Sequence, residues 1–331
     1  MSIDIERVDV ADLDLATAGG LAEIRDAALD GVPLRGHTAE TFLLDVRDHN
    51  GEGPLEGLWL GRSDGRLVGY AGVHHNLYEN RDGAKILGAV HPHHRRRGLG
   101  RALLAAAEAA TDRPCLRAPV WAGTAGIGAL PRLGYARAHS HEVRRLFLRA
   151  EQPAALVAAA EEAAAGYDLE RYRGPCPEGL LPTMQVLRET INDAPEDGEF
   201  EAYPPSRIRR YEAWLARQRQ TPYTIVARHR ASGEAAGLTI VCVYELLPAI
   251  AVQEDTSVVA AHRGHRLGLR MKLAMLDWLR AERTDVDSID TWNMPGNAPM
   301  IAINDALGCA VVAETVRFTK DRTAGQPSTS S

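Results

Sequence analysis

The sequence HHRRRGLGRALL occupies residues 93–104 and joins two apolar segments. The segment ILGAV before it, at residues 86–90, is typical of a buried strand, and the Ala- and Leu-rich residues 101–110 predict a helix. Four arginines therefore lie at a helix N-terminus, where unpaired N–H groups are already positive and a misplaced charge costs about 0.3–1 kcal/mol. A bound polyanion would offset this repulsion, and Gly98 and Gly100 would let its oxygens approach the backbone. The alternative is an exposed basic loop that only happens to precede a helix.

The spacing of this turn distinguishes it from other phosphate-binding motifs. A dinucleotide fingerprint needs another glycine three residues further on, and a P-loop needs Gly-Lys-Ser/Thr; neither is present. The pattern R-x-x-G-x-G at residues 95–100, after Val-x-Pro at residues 90–92, resembles the acetyl-CoA motif of the GNAT acyltransferases. In that family the turn's backbone amides hold the CoA pyrophosphate, and the preceding strand pairs with the pantetheine arm. By resemblance the arm contacts are Val90 and His91, and the pyrophosphate contacts are Arg95, Arg96, Arg97, Gly98, Leu99, Gly100, Arg101 and Ala102.

The same landmarks occur twice in the chain, in the same order. Residues 3–7 match residues 167–171, Gly65 matches Gly233, Gly100 matches Gly268, and the Leu-Gly pair at 133–134 matches that at 307–308. The offset is 164 residues at the start, 168 through the middle and 174 at the end. This period is too long for a solenoid, so the chain contains a duplicated domain.

Each copy predicts a first strand, helical segments, a β-hairpin, a long strand, the CoA turn, a helix, a further strand and a short helix. Asp-Gly at residues 64–65 and Ser-Gly at residues 232–233 mark the two hairpin turns. We therefore expect an α/β (α+β) fold of two tandem GNAT-like domains, each a mixed, mostly antiparallel sheet flanked by helices. The expected boundaries are an acetyl-CoA-binding domain at 1–150, a helical linker at 151–166, a second GNAT domain at 167–320 and a disordered tail at 321–331. The whole chain is similar to the tandem GNAT proteins, of which mycothiol synthase is the best-known type.

The second turn, HRGHRLGLR at residues 262–270, departs from the family pattern. Arg266 stands where the first turn has Gly98, and Ala260 stands where it has Pro92. A side chain at residue 266 would narrow the pyrophosphate cradle, so we expect tight acetyl-CoA binding in the first domain and weak binding or none in the second. By the same reasoning Gly98→Arg should abolish tight binding. The second turn's expected contacts are Val258, Arg263, Gly264 and Gly268.

The resemblance also implies direct acyl transfer, in which a base takes the amine proton and an acid protonates the leaving thiolate. Many GNAT enzymes use a tyrosine four residues before the glycine of the Leu-Gly pair as the acid. Leu130 and Asn304 occupy that position here, so the usual acid is absent. Asn304 remains a candidate catalytic residue because it occupies the tyrosine's position in the motif. The other options for the acid are a water, Tyr135 or a residue of another strand.

Candidate bases lie on the strands around the two turns. His74 and His75 end a hairpin strand and His91 lies on the CoA strand, unless the first two are only surface residues. In the second copy Glu254 and Asp255 lie where GNAT enzymes often carry a carboxylate base; the alternative is a solvated strand end.

Composition limits the possible partners. The 331 residues carry a net charge of −6, which argues against nucleic acid as the main partner. Four dispersed cysteines form no metal-binding spacing and suit a reducing cytoplasm, and we find neither a signal segment nor an apolar run of about 18 residues. The acidic residues 193–201 would suit a cationic amine.

These observations predict an N-acetyltransferase that transfers the acyl group of acetyl-CoA, or of another acyl-CoA, to an amine of a small molecule. No metal is expected, and the oligomeric state is expected to be a monomer or homodimer. The missing tyrosine motivates a second hypothesis, a non-catalytic acyl-CoA-binding sensor or pseudoenzyme. Protein N-acetylation is a further enzymatic alternative. Release of CoA on a panel of amines would discriminate between enzyme and sensor.

Overall fold

The structure is a computed structural model that describes residues 2–29, 31–193, 200–294 and 296–322. The chain divides into two compact units, and the division does not follow chain order. Unit 1 contains Met1–His141 together with Ala313–Ser331, and unit 2 contains Glu142–Val312. Each unit is a mostly antiparallel sheet flanked by helices, which confirms the predicted fold class.

The described residues form twelve strands and nine α-helices. The strands are β1 (Ile3–Val8), β2 (Gly57–Ser63), β3 (Arg66–His75), β4 (Gly83–Val90), β5 (Cys115–Trp121), β6 (Ala136–Phe147), β7 (Tyr167–Arg173), β8 (Gln220–His229), β9 (Ala235–Tyr244), β10 (Ile250–Val258), β11 (Ser288–Asn293) and β12 (Ala310–Asp321). The helices are α1 (Leu15–Ala28), α2 (Ala39–Arg47), α3 (Leu99–Ala109), α4 (Gly126–Ala129), α5 (Ala154–Ala163), α6 (Leu181–Glu189), α7 (Pro205–Arg217), α8 (Leu267–Glu282) and α9 (Ala298–Ala306). None of the helices in the described part of the chain is both long and apolar enough to cross a membrane.

The sheet of unit 1 has the strand order β1-β2-β3-β4-β5-β12. All neighbouring strands are antiparallel except β4 and β5, which are parallel. Successive side chains of β2 point to opposite faces of the sheet. Leu58 and Leu60 belong to the core that includes α1 and α2, whereas Trp59 packs into the core that includes α3. Burial on both faces explains why the central strands are apolar without interruption.

The sheet of unit 2 has the order β6-β11-β10-β9-β8-β7, and its parallel pair is β10 and β11. Ile240 and Cys242 of β9 pack into the core with α6 and α7, while Val241 and Val243 pack into the core with α5 and α8. The two units thus repeat one plan. Gly65 and Gly233 occupy equivalent hairpin turns, and both have positive φ, at 79° and 73°.

The structure divides the chain differently from the boundaries expected at residues 150 and 167. Residues 142–147 of β6 pair with β11 in unit 2, and residues 315–321 of β12 pair with β5 in unit 1. The expected linker forms α5, but its Ala160 and the following Ala164 are fully buried in the core of unit 2. Asp321, expected to begin the disordered tail, ends β12, and residues 323–331 lie outside the described part of the chain.

Candidate active site

The first turn is held by its leading arginine. After the 3₁₀ turn Pro92–His94, the Nε of Arg95 donates to Val90 O at 3.2 Å, and an Nη donates to Ala28 O at 3.2 Å. The predicted cofactor contact Arg95 therefore acts through its guanidinium as a brace between β4, the turn and α1. In unit 2 the Nε of Arg263 donates to Val258 O at 3.0 Å in the same way, and its guanidinium also pairs with Asp193.

The backbone of the two turns follows the same path. In the first turn Arg96 and Gly98 have positive φ, at 64° and 87°; in the second the same two positions are Gly264 and Arg266, at 86° and 49°. Arginine and glycine thus occur in the opposite order at these two positions. Arg266 adopts the left-handed conformation that Gly98 adopts in the first turn. A Cβ added to Gly98 would meet nothing within 4 Å. That space is where a bound pyrophosphate would lie, so the expectation that a side chain at this position narrows the cradle stays a prediction.

Both helices after the turns begin without a side-chain cap. No side chain accepts a hydrogen bond from the first N–H groups of α3 or α8, and no acidic residue lies in either first turn. These N–H groups and the surrounding arginines suit a pyrophosphate. Gly100 lies one residue inside α3, and a Cβ there would lie 3.5 Å from Val90 Cγ2; one on Gly268 would lie 3.3 Å from Ile303 Cδ1. The residues of both turns thus fit the phosphates of CoA.

A wedge opens beside each CoA strand. Strand β4 pairs with β5 only over Gly83–Lys85, so its edge is free from Ile86 to Val90. In the same way β10 pairs with β11 only over Ile250–Gln253. Free backbone groups on such an edge can hydrogen-bond an extended ligand, as a further strand would. We call the last paired position, Lys85 in unit 1 and Gln253 in unit 2, the wedge apex.

Only β10 has a bulge at its wedge apex. The pairing of β10 with β9 shifts between Gln253 and Thr256, so Glu254 and Asp255 together oppose a single residue of β9. In unit 1 the register of β4 with β3 is continuous from Ala84 to Val90. The bulge turns the two predicted carboxylates out of the regular alternation at the point where β10 leaves β11.

The two carboxylates of the bulge have different surroundings. Asp255 accepts a hydrogen bond of 2.6 Å from Arg188 of α6, whose guanidinium also lies 5.4 Å and 5.3 Å from the rings of Tyr203 and Tyr211. Glu254 accepts a hydrogen bond from the Tyr211 hydroxyl, and burial raises its pKa despite the positive charge of Arg188. Asp255 is therefore occupied by an ion pair, whereas Glu254 has the raised proton affinity that a general base needs.

Asn304, at the position of the missing tyrosine in unit 2, hydrogen-bonds a buried lysine of α8. The Nζ of Lys272 donates to Asn304 Oδ1 at 2.8 Å, and Asn304 Nδ2 donates to Asn293 Oδ1 at 2.8 Å. Lys272 and Asn304 line a cavity of about 20 Å³ together with Gln253 and Thr291, the last pair of β10 and β11. Burial lowers the pKa of Lys272 to about 8. Asn304 has no acidic proton, but it holds an ammonium group that has one.

The candidates of unit 1 are less suited to catalysis. The ring of His74 is buried, which lowers its pKa to about 3, and His75 Nε2 contacts Thr111 Oγ1 at 2.9 Å. His91 lies at the turn, where its Nδ1 accepts the N–H of His93, six residues from the wedge apex. The Tyr135 hydroxyl donates to Glu108 at 2.9 Å, so it is not the acid, and Leu130 offers no polar atom.

Unit 1 also contains a polar cluster that no sequence motif predicts. Lys85 Nζ lies 3.0 Å from His49 Nε2, and His49 Nδ1 lies 3.2 Å from Asp45 Oδ1. The residues come from β4, a 3₁₀ turn and α2, so no local motif joins them. The predicted acidic loop cannot be placed in the same way, because residues 194–199 lie outside the described part of the chain.

Comparison with known proteins supports the resemblance. Residues 23–135 match the Acetyltransferase (GNAT) family. A tandem GNAT protein from the clavulanic acid biosynthesis pathway is 27% identical, with a TM-score of 0.80 over 99% of this chain and 100% of that one. A GCN5-related N-acetyltransferase from Sphaerobacter thermophilus, 17% identical, shares the fold with a TM-score of 0.69 over 97% of this chain and 96% of its own. The chain matches no curated protein sequence at a significant level.

Proposed function

Because the chain belongs to the GNAT superfamily of acyltransferases, as a member with two such domains in tandem, we propose that it transfers an acetyl group from acetyl-CoA to an amine of a small molecule, and that unit 2 performs the transfer. The observation that carries the assignment to unit 2 is the bulge of β10, which brings Glu254 to the wedge apex. When bound, acetyl-CoA supplies an acyl carbon activated as a thioester. The turn residues from Arg263 to Gly268 hold its pyrophosphate, and the free edge of β10 from Glu254 to Val258 holds its arm.

Glu254 is the general base of this proposal. Its carboxylate takes the proton of the attacking amine, and its raised pKa matches that task. Tyr211 orients the carboxylate by donating to it, and the ion pair of Arg188 and Asp255 fixes the bulge on the side of α6. A backbone N–H of the free edge of β10 stabilises the oxyanion.

Lys272 takes the part of the missing tyrosine. Its ammonium lies at the cavity beneath the wedge apex, and Asn304 and Asn293 form a chain of side-chain hydrogen bonds that orients it. A lysine whose pKa is about 8 is protonated at neutral pH and releases its proton readily. Lys272 therefore donates the proton that the leaving thiolate needs.

Small amines are the proposed acceptors because the Glu254 carboxylate and two tyrosine rings lie near the bulge, together with the Arg188 guanidinium that pairs with Asp255. Glu254, Tyr203 and Tyr211 lie together on the side of α6 and α7, and the ring of Tyr203 is also within 4.3 Å of the Arg207 guanidinium. Carboxylates and aromatic faces both bind ammonium groups. Unit 1, whose β4 is regular and whose histidines are buried or paired, is proposed to bind acyl-CoA without transferring it to a free amine.

Release of CoA tests the proposal directly. The full chain is incubated with acetyl-CoA and a panel of mono-, di- and polyamines and aminosugars, and free thiol is measured with Glu254→Gln beside Glu234→Gln, a matched exposed carboxylate on the hairpin turn of unit 2. We expect turnover with at least one amine, a loss of about 10²–10⁴-fold for Glu254→Gln, and no loss for Glu234→Gln. Turnover unchanged by Glu254→Gln would remove the catalytic assignment to unit 2, and binding of acetyl-CoA with no acceptor would favour the sensor hypothesis.

A further inference from the structure

Lysine is rare in this chain, and its three positions are unusual. Of 38 lysine and arginine residues, only Lys85, Lys272 and Lys320 are lysine. Arginine keeps its proton in proteins, whereas lysine can lose it and become a nucleophile. Lys320 pairs with the Glu108 carboxylate at 2.9 Å, an ordinary ion pair. The Nζ of Lys85 instead lies 3.0 Å from the Nε2 of His49, and Lys85 lies at the wedge apex of unit 1.

The surroundings of Lys85 lower its proton affinity. Burial lowers the pKa of Lys85 below its ordinary value; the charge of Asp45 raises it in part, and the charge of Arg317 lowers it. Lys85 Nζ lies beside Nε2 of the His49 ring, and the other ring nitrogen, Nδ1, faces Asp45. Burial raises the pKa of Asp45, but the hydrogen bond with His49 and the charges of His49, His37 and Lys85 together hold it well below its usual range. A proton leaving Lys85 thus has a base beside it that a carboxylate supports.

A second observation indicates that something else occupies this site. His74 and Lys85 are directly opposed in the register of β3 and β4, so their side chains share one face of the sheet. The His74 ring is 2% exposed and lies 4.8 Å from the His49 ring. Within the described part of the chain neither ring nitrogen of His74 has a hydrogen-bond partner. A buried polar group without a partner is costly, and a carbonyl oxygen beside Lys85 would satisfy it.

The position of Lys85 matches the reach of the predicted cofactor. Lys85 is the last residue of β4 that pairs with β5, and Val90, five residues on, adjoins the turn that suits a pyrophosphate. Five residues of strand span about 17 Å, which is the distance that an arm extended along the free edge must cover to reach Lys85 from the turn. Unit 2 has Gln253 at the matching position, and its Nε2 donates to Ile240 O. A lysine on the strand itself at this position is therefore a feature of unit 1; the lysine near the wedge apex of unit 2, Lys272, lies on α8.

We propose that Lys85 is a self-acylation site: the chain accepts the acyl group of acyl-CoA held in unit 1 on its own Nζ. The proposal rests on the part of the proposed function that places acyl-CoA in the first turn. The neutral Nζ forms a C–N bond with the acyl carbon as the C–S bond breaks. The amine proton passes to His49 Nε2 and from there to the departing thiolate, so the products are Nε-acyl-lysine and CoA. An amide nitrogen is not nucleophilic, so the reaction stops at one acyl group per chain.

Mass spectrometry tests this with the full chain and isotope-labelled acetyl-CoA. Cleavage after arginine places each lysine in its own peptide, Lys85 in 82–95, Lys272 in 271–280 and Lys320 in 318–322. We expect one label per chain, in peptide 82–95, with the ion-paired Lys320 as the internal control. Unlabelled acetyl already on Lys85 in the purified protein, and absent from the Gly100→Val variant, supports the proposal equally.

Three variants separate the proposal from its rivals. His49→Gln should slow labelling by about 10²-fold because it removes the base. Gly100→Val, in the turn of unit 1, should abolish labelling. Glu254→Gln, in unit 2, should leave labelling in place. Labelling of Lys320 at the rate of Lys85, or labelling that survives both His49→Gln and Gly100→Val, would overturn the proposal as non-specific chemistry. No label on a chain that binds acetyl-CoA by calorimetry in a Gly100-dependent way would overturn it and leave the proposed function intact. A chain that binds no acetyl-CoA would overturn both.

Discussion

At the scale of single residues, the role assigned to Lys272 predicts an unusual pair of effects. Lys272→Met removes an ammonium that is 6% exposed and whose folded pKa of about 8 lies below the ordinary 10.5. The unfolded chain binds this proton more tightly, so the charge opposes folding at neutral pH, and the penalty fades between about pH 8 and 10.5. We expect the variant to melt at a higher temperature at pH 7 and to lose turnover. Thermal unfolding and CoA release measure the two effects.

The pH profile distinguishes a catalytic role of Lys272 from a structural one. If its ammonium protonates the thiolate, the turnover of the full chain falls above about pH 8, because the acid is then deprotonated. On the acid side turnover falls as Glu254, whose pKa is raised, takes up a proton. Lys272→Met should flatten the alkaline limb only, and Lys320→Met, the control in unit 1, should leave both limbs in place. An alkaline limb that persists in Lys272→Met would exclude Lys272 as the acid.

The candidate residues could be predicted in part because motifs are local. The spacing to the CoA turn identified Glu254 and Asp255, but their difference depends on Arg188 and Tyr211, which are more than 40 residues away in sequence. Lys85 and Lys272 follow no motif. The signal that could have found them is compositional: three lysines among 38 basic residues, in a chain that otherwise uses arginine.

At the scale of elements, the matching paths of the two turns favour a second outcome for Gly98→Arg, in which binding survives. Arg266 already adopts a left-handed conformation at the equivalent position, and a Cβ on Gly98 would face open space. A non-glycine residue in this conformation costs about 1–2 kcal/mol. We expect Gly98→Arg to lower the stability of unit 1 by that amount and to leave acetyl-CoA binding within about tenfold, as calorimetry would measure. Gly100→Val, which places a branched side chain against Val90, should abolish binding to unit 1. Loss of binding in both variants would restore the steric argument.

The hairpins and turns could be predicted from the sequence because glycines mark them, and these glycines adopt positive φ in the structure. The bulge of β10 left no such trace. It adds a residue to the strand, but the connection before β10, at residues 245–249, is shorter than the one before β4, at residues 76–82. The extra residue of the bulge and the shorter connection compensate for each other. The numbering difference between the copies is therefore 168 at both Gly237 and Val258. Matching the two copies in sequence therefore could not reveal the bulge, the difference between the domains on which the proposed chemistry depends.

At the scale of the whole molecule, the repeat predicted two domains but misplaced their limits. The last strand of each copy, β6 and β12, was not predicted, because each follows a Leu-Gly pair that reads as the end of the motif. Only the fold shows that residues 142–147 pair with β11 and residues 315–321 with β5. Which sheet a strand joins depends on pairing between distant segments, and a periodic sequence pattern carries no information about the partner.

This strand assignment predicts how fragments behave. A fragment of residues 1–150 lacks β12, whose Val316 and Phe318 are 1% and 2% exposed in the core of unit 1. Without them β5 keeps an unpaired edge and the core beneath it is open, so we expect this fragment to aggregate or to unfold without cooperativity. A fragment of residues 142–312 contains every pairing of unit 2 and should unfold cooperatively.

Supplying the missing strand as a peptide tests the same prediction. Adding a peptide of residues 310–322 to fragment 1–150 should restore a cooperative melting transition, because the peptide supplies the strand and its two core residues. A peptide with Phe318→Ala should restore it poorly, since truncating a buried phenylalanine costs about 3–5 kcal/mol. Thermal unfolding followed by circular dichroism measures both. If fragment 1–150 melts cooperatively without the peptide, β12 is dispensable to unit 1, and the boundary near residue 150 describes the folding unit better than the pairing of β12 with β5 does.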